Sequence, residues 1–220
     1  MKNIIIIGAN SFARLLYHYM AENGERKIAA FSVNSAYCGM GDTIFGKPVI
    51  PLEELQEKCP PEAFEVILAV GYSQMGKVRQ RLAECCKKKG YFLASFIHSS
   101  AVISPSSELG EGNILLENVV VAPMAKVGHC NLIWNGVHIS HECILGNYNT
   151  LSVSSALAGN VTIQNNCFLG VNSTVADHTA IADYTLVGAA GCVKRDTNPY
   201  DVIVPARSVT LEGKRSIEFL

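Results

Sequence analysis

The chain of 220 residues has no excess of charge of either sign, with eighteen lysines and arginines against nineteen aspartates and glutamates. That balance leaves no electrostatic footprint for nucleic acid or an anionic membrane surface. It also lacks any apolar run near the ~20 residues that a membrane-spanning helix needs. The opening MKNIIIIGAN carries a lysine and an apolar stretch, but the stretch is too short for a secretion signal and no small-residue cleavage site follows. It reads as a buried first strand of a cytoplasmic protein. Eight cysteines are scattered without a single Cys-x-x-Cys spacing. This argues against a zinc ribbon, a dithiol redox motif and the disulfide framework of a small secreted domain, and for reduced thiols. Of the G-x-G-x-x-G dinucleotide fingerprint only Gly8 is present, so a dinucleotide site is not expected.

What is present falls into two halves, residues 1–98 and 99–220. The first alternates strand-like and helix-like patterns. Asn3–Gly8, Lys27–Val33, Glu65–Gly71 and Tyr91–Ile97 read as strands. Ser11–Asn23 with Ser11 as N-cap, Leu52–Lys58 and Ser73–Lys89 read as helices. The alternation predicts a small Rossmann-like parallel sheet with right-handed crossovers. The turn Gly8-Ala9-Asn10-Ser11 would present backbone N–H groups at a helix N-terminus, which suits a phosphate or is simply a turn.

The second half obeys a six-residue rule. From Ile103, every sixth position through Val193 is Ile, Leu or Val, sixteen in succession. Two residues before each, side chains are mostly small, as at Ala125, Cys143, Ser155, Cys167 and Ser173. A period of six fits a parallel β-helix, in which each hexapeptide makes one flat face and a corner, and no face can bury its apolar side without the coils stacked on it.

Histidines interrupt this pattern in IWNGVHISHECILGN (Ile133 to Asn147). His141 shares its phase with Asn135, Asn147, Gly159, Asn165, Asp177 and Asp183. Asn, Asp and Gly tolerate tight or left-handed corners, so His141 is expected at a corner and pointing outward. A metal site needs three converging ligands. His129 and His138 would require a neighbouring chain to complete one, so no metal is expected.

The hexapeptide periodicity is similar to that of the hexapeptide-repeat acyltransferases. NIIIIGANSFARLLYHYM, AVGYSQMGKVRQRL and GYFLASFIHSSAVISPSSELGEGN add a resemblance, over essentially the whole chain, to sugar acyltransferases of the sialic acid O-acetyltransferase and nucleotide-amino-sugar N-acetyltransferase type. The resemblance implies a left-handed β-helix of eighteen-residue coils, usually assembled as a homotrimer. It implies acetyl-CoA as co-substrate and a nucleotide-linked sugar as acceptor, without nucleic-acid partners or membrane insertion. With eighteen residues per coil Gly159 lies directly above His141. The family places its catalytic histidine at His141, the orienting carboxylate at Glu142 and an oxyanion-stabilising N–H at Gly159. It points to Gly159, Gly170, Asn172, Gly188, Ala189, Pro205 and Arg207 for the cofactor, several of which a turn alone would explain. Asn10, Ser11, Tyr72 and Arg79 are candidates for the nucleotide sugar, with Arg79 equally readable as a solvated helix face. His138 is a candidate for substrate or interface contact. Many members carry a histidine in the first turn where this chain has Ser11-Phe12-Ala13. The expected activity is acetyl transfer to the amine of a nucleotide-linked amino sugar. Transfer to a sialic acid or other sugar hydroxyl would use the same base, and a non-catalytic binding or scaffold β-helix would leave His141 without a role.

Overall fold

The computed structural model describes residues 2–24, 26–39, 41–208, 210, 212–215 and 217. The N-terminal half is built on a five-stranded sheet. Its strands are β1 (Asn3–Ile7), β2 (Ile28–Val33), β3 (Thr43–Ile44), β4 (Lys47–Pro51) and β5 (Phe64–Leu68), in the order β3-β4-β2-β1-β5. All neighbouring pairs are parallel except the β3–β4 hairpin, which the sequence reading did not foresee. Its turn residues Phe45 and Gly46 take φ of 50° and 70°, as a tight two-residue hairpin requires.

Helix α1 spans Ser11–Asn23, α2 Leu55–Lys58 and α3 Lys77–Lys88. The N-cap of α1 is Asn10, whose side chain accepts from the Ala13 N–H at 3.0 Å, and not Ser11. Helix α3 begins four residues later than expected because Gln74, Met75 and Gly76 take φ of 53°, 53° and 76°, a left-handed run that no α-helix contains. Tyr91–Ile97 is not one strand. Leu93 makes a single bridge to Val66, while Phe96–Ile97 already pairs with Ile114–Leu115 as the first rung of the second half.

That second half is a left-handed β-helix with sheets of six, five and seven two-residue rungs. The register is eighteen residues per coil: Val120 pairs with Val102 below and His138 above. The sixfold aliphatic positions fill its interior, from Leu115 through Val193. The small positions are equally buried, with Ala125, Cys143, Ser155 and Ser173 at 0% exposure. Corners recur every six residues through a left-handed residue, from Gly112 and Asn118 to Ala190. The left-handed residue is one position later than the sequence phase suggested. His141 is at the corner, but Glu142 carries the φ of 57°.

The asparagines that mark the phase of Asn147 have another use. The Asn147 and Asn165 side chains each accept from the backbone N–H eighteen residues below, and Asp183 does the same for Asn165. A parallel buried ladder runs through Asn113, Asn131 and Asn149, whose side-chain oxygens accept from the N–H groups of Asn131, Asn149 and Cys167. These ladders satisfy corner amides that the short rungs leave over.

The N-terminal half docks on one face and one corner of the β-helix. Phe12, Ala13 and Leu16 of α1 share a core with Ile114, Leu116 and Leu132, and Ala83 and Cys86 of α3 share one with Cys130. Among the described residues no helix is long and apolar enough to cross a membrane.

Candidate active site

The corner bearing His141 lies between the faces of His138–Ile139 and Ile144–Leu145. This is not the face or the corner that the N-terminal half covers. His141 Nδ1 is 3.2 Å from Glu142 Oε2, and both side chains are about half exposed. A left-handed glutamate costs on the order of 1–2 kcal/mol relative to an ordinary conformation. Here that conformation turns the carboxylate back onto the preceding ring. Asn160, one coil above, reaches the same Oε2 at 3.4 Å. With Nδ1 on the carboxylate, the Nε2 lone pair is left free to accept a proton.

Gly159 sits above the ring. A Cβ there would lie 2.5 Å from His141 Cε1 and 2.6 Å from Nε2, so the imidazole occupies the space that any other residue would fill. The flanking N–H groups are taken, Ala158 to the Val175 carbonyl and Asn160 to the His141 carbonyl. The Gly159 N–H has no acceptor among the described residues. His138 is exposed on the adjoining face, between Val120 and Ala156. No three His, Cys, Asp or Glu side chains converge among the described residues.

The cofactor candidates group on a different corner. A Cβ at Gly170 would meet the Ala189 N at 2.5 Å, and one at Gly188 would lie 3.7 Å from Pro205 Cδ. Asn172 takes the left-handed corner conformation of the same column, φ 55°. Arg207 is exposed on the following segment. Gly159 is apart from this group, on the His141 corner.

Of the N-terminal candidates, Asn10 caps α1 and Ser11 is exposed beside it. Tyr72 is 60% exposed and packs against Phe168 at 5.0 Å between ring centroids. Arg79 is neither a solvated helix face nor an open ligand contact. It is 1% exposed, and its guanidinium is spent on protein carbonyls, including those of Gly71, Cys130 and Tyr148. Phe12 is 8% exposed and packs on Trp134 at 5.4 Å, so it belongs to the junction between the halves.

The structure adds a cavity of about 620 Å³ at the carboxyl ends of β1 and β2, lined by Gly8, Ser32, Asn34, Tyr37, Gln74 and Arg81 among others. Ser32 is fully buried and its hydroxyl has no hydrogen-bond partner among the described residues. Among the described residues Arg81 is the only charged side chain in the lining. This is where strand order reverses about β1 (the chain fills one side with β2 and β4 and the other with β5), the usual place for a ligand in an open parallel sheet. The signal available in the sequence was the position of Ser32–Asn34 at the end of the second strand.

No family model and no curated protein matches the chain by sequence. Solved structures do. Perosamine N-acetyltransferase (PerB) from Caulobacter crescentus, determined with CoA and GDP-perosamine, is 29% identical, with a TM-score of 0.81 over 93% of this chain and 95% of that one. The acetyltransferase domain of PglB from Neisseria gonorrhoeae has a TM-score of 0.82 at 21% identity, covering 93% of this chain and 97% of its own. WeeI from Acinetobacter baumannii follows at 0.77 and 19%, over 93% and 97%. Over 93% of its length the chain shares the architecture of these hexapeptide-repeat sugar acetyltransferases. The likeness extends through both halves, so the α/β half is part of that architecture and not an addition to it. It supports an acyltransferase.

Proposed function

We propose that the protein transfers the acetyl group of acetyl-CoA to the amine of a nucleotide-linked amino sugar, as a cytoplasmic enzyme of bacterial glycan synthesis. The observation that carries this reading is the His141–Glu142 pair under Gly159. His141 takes a proton from the acceptor amine through Nε2 as the amine attacks the thioester. Glu142 holds the Nδ1–H tautomer and steadies the imidazolium that forms. The Gly159 N–H donates to the oxygen on which charge develops. The tetrahedral intermediate then expels the CoA thiolate, which takes up a proton, so no acyl-enzyme is needed. The base serves a hydroxyl acceptor equally well. The amine is preferred because the PerB relative, the most similar in sequence of those above, is an N-acetyltransferase.

Residues 1–98 hold the nucleotide in the cavity beside Gly8 and Ser32, and residues 99–220 carry out transfer. The cavity and the His141 corner belong to different sides of one chain, since the N-terminal half covers another face and corner. A homotrimer resolves this by setting the His141 corner of one protomer against the Gly170–Gly188 corner and α/β half of the next. Turnover with CoA release from acetyl-CoA and a nucleotide-linked amino sugar, absent in His141→Ala, tests the reading. Turnover with a free sugar alone would contradict it.

A further inference from the structure

The segment from Val70 to Arg81 leaves the N-terminal sheet after Leu68 and is fastened to the β-helix over four successive coils. On the first, Arg79 Nε donates to the Cys130 carbonyl at 2.9 Å. On the second, its Nη2 donates to the carbonyls of Tyr148 and Asn149 at 2.8 and 2.9 Å and to Thr150 Oγ1 at 3.2 Å. Nη1 ties back to the carbonyls of Val70 and Gly71 at 3.0 and 2.8 Å. On the third coil Asn166 Nδ2 donates to the Met75 carbonyl at 3.0 Å, and Tyr72 packs on Phe168. On the fourth, Lys77 Nζ lies 4.6 Å over the Tyr184 ring. Gly76 is pressed so close to the β-helix that a Cβ would lie 2.5 Å from the Tyr148 carbonyl oxygen.

The same segment and the helix it starts supply one wall of the cavity: Gln74, Val78, Arg81, Leu82 and Cys85. The opposite wall, with Gly8 and Ser32–Asn34, belongs to the sheet. Arg79 therefore stands behind this wall and ties it to the β-helix. Its partners are all neutral oxygens, with no carboxylate among them. Burial lowers its pKa to about 10, which still leaves it charged at neutral pH. A lysine would bring the charge without the planar fork that reaches three backbone segments at once.

We infer that Arg79 is a positioning residue: it fixes the Gln74–Cys85 wall of the nucleotide cavity to the β-helix, so that the bound nucleotide presents its sugar at a set place relative to the transfer site. This rests on the nucleotide-sugar reading above.

The test is Arg79→Lys, with Asn166→Ala as a second variant that loosens the same segment without disturbing the buried cation. For Arg79→Lys the KM for the nucleotide-linked acceptor should rise about tenfold, with kcat and the KM for acetyl-CoA within twofold of the parent. Hydrogen exchange should increase across 70–81 and stay unchanged in the coils beyond. Asn166→Ala should shift the same KM about threefold, and it decides the matter if Arg79→Lys does not fold. Parallel losses in kcat and both KM values, or an unchanged acceptor KM, would overturn the inference. Calorimetry on the parent protein separates the two levels: failure to bind any nucleoside diphosphate or nucleotide sugar would remove the functional reading itself.

Discussion

Gly159 lies one coil above His141 and leaves the imidazole the space that a methyl group would take, since a Cβ at Gly159 would be 2.5 Å from Cε1. The backbone of Gly159 is not in the left-handed region, so alanine there is conformationally allowed and its effect is confined to the contact. Gly159→Ala should displace the ring, lowering kcat by about 10- to 100-fold, the range for a misplaced base. Its melting temperature should stay within a few degrees of the parent. Steady-state kinetics with a thermal melt on the same sample checks both.

Glu142 is tied to His141 Nδ1 at 3.2 Å and to Asn160 Nδ2 at 3.4 Å. Glu142→Gln keeps the shape and removes the charge that stabilises the imidazolium. It should lower kcat about tenfold and leave the KM for acetyl-CoA unchanged. An equal loss in kcat and in acetyl-CoA affinity would instead make Glu142 a cofactor contact.

The eight thiols divide by burial. Burial pushes Cys86 and Cys167 up to about 12 and Cys130 up to about 11, and raises Cys59 and Cys143 as well. Cys38 and Cys85 are partly exposed and Cys192 is exposed. Thiolate is the reactive form, so an aromatic-disulfide titration at pH 8 should modify these three quickly in the folded protein and the other five only after denaturation. Cys85 lines the cavity, and a saturating nucleotide should slow its reaction selectively.

Two tyrosines make the fold sensitive to alkali. Tyr19 is raised to about 12, first by burial and then by its hydrogen bond to Glu117, and Tyr91 is raised to about 12 by burial. Tyr91 also donates to the Cys59 carbonyl at 2.6 Å. Both hold their protons more tightly when folded than unfolded, where the value is near 10. Their contribution is therefore fully present below pH 10 and is lost as pH rises from about 10 to 12. Urea unfolding midpoints should fall over that interval, and the fall should be shallower in Tyr91→Phe.

The repeating half was legible almost residue by residue, because a buried aliphatic every six residues has one architectural solution and the interior runs as the pattern requires. Leu151→Ala, at 0% exposure in the middle of that interior, should cost about 2–5 kcal/mol, measured by denaturant unfolding. The relation of His141 to Gly159 was legible through the eighteen-residue coil that the family resemblance implied. The left-handed turn at Glu142 was placed one residue early, because Asn and Asp serve equally as left-handed residues and as side-chain ladders, and the sequence does not say which. Arg79 was misplaced for a similar reason. A basic residue on an amphipathic helix normally faces water, and only the tertiary contact with the Cys130–Thr150 carbonyls makes burial favourable. Of the cavity only the Gly8 turn was singled out in the sequence, and the rest was missed because no short motif connects Gly8 with Ser32 and Arg81.

The central claim is that His141 is the base for acetyl transfer to a nucleotide-linked amino sugar. It is tested most directly by following CoA thiol release from acetyl-CoA with such sugars, in the parent and in His141→Ala at equal concentration. The account predicts turnover in the parent and a loss of at least a hundredfold in kcat for the variant, with acetyl-CoA binding by calorimetry nearly intact. Equal turnover in parent and variant would contradict it.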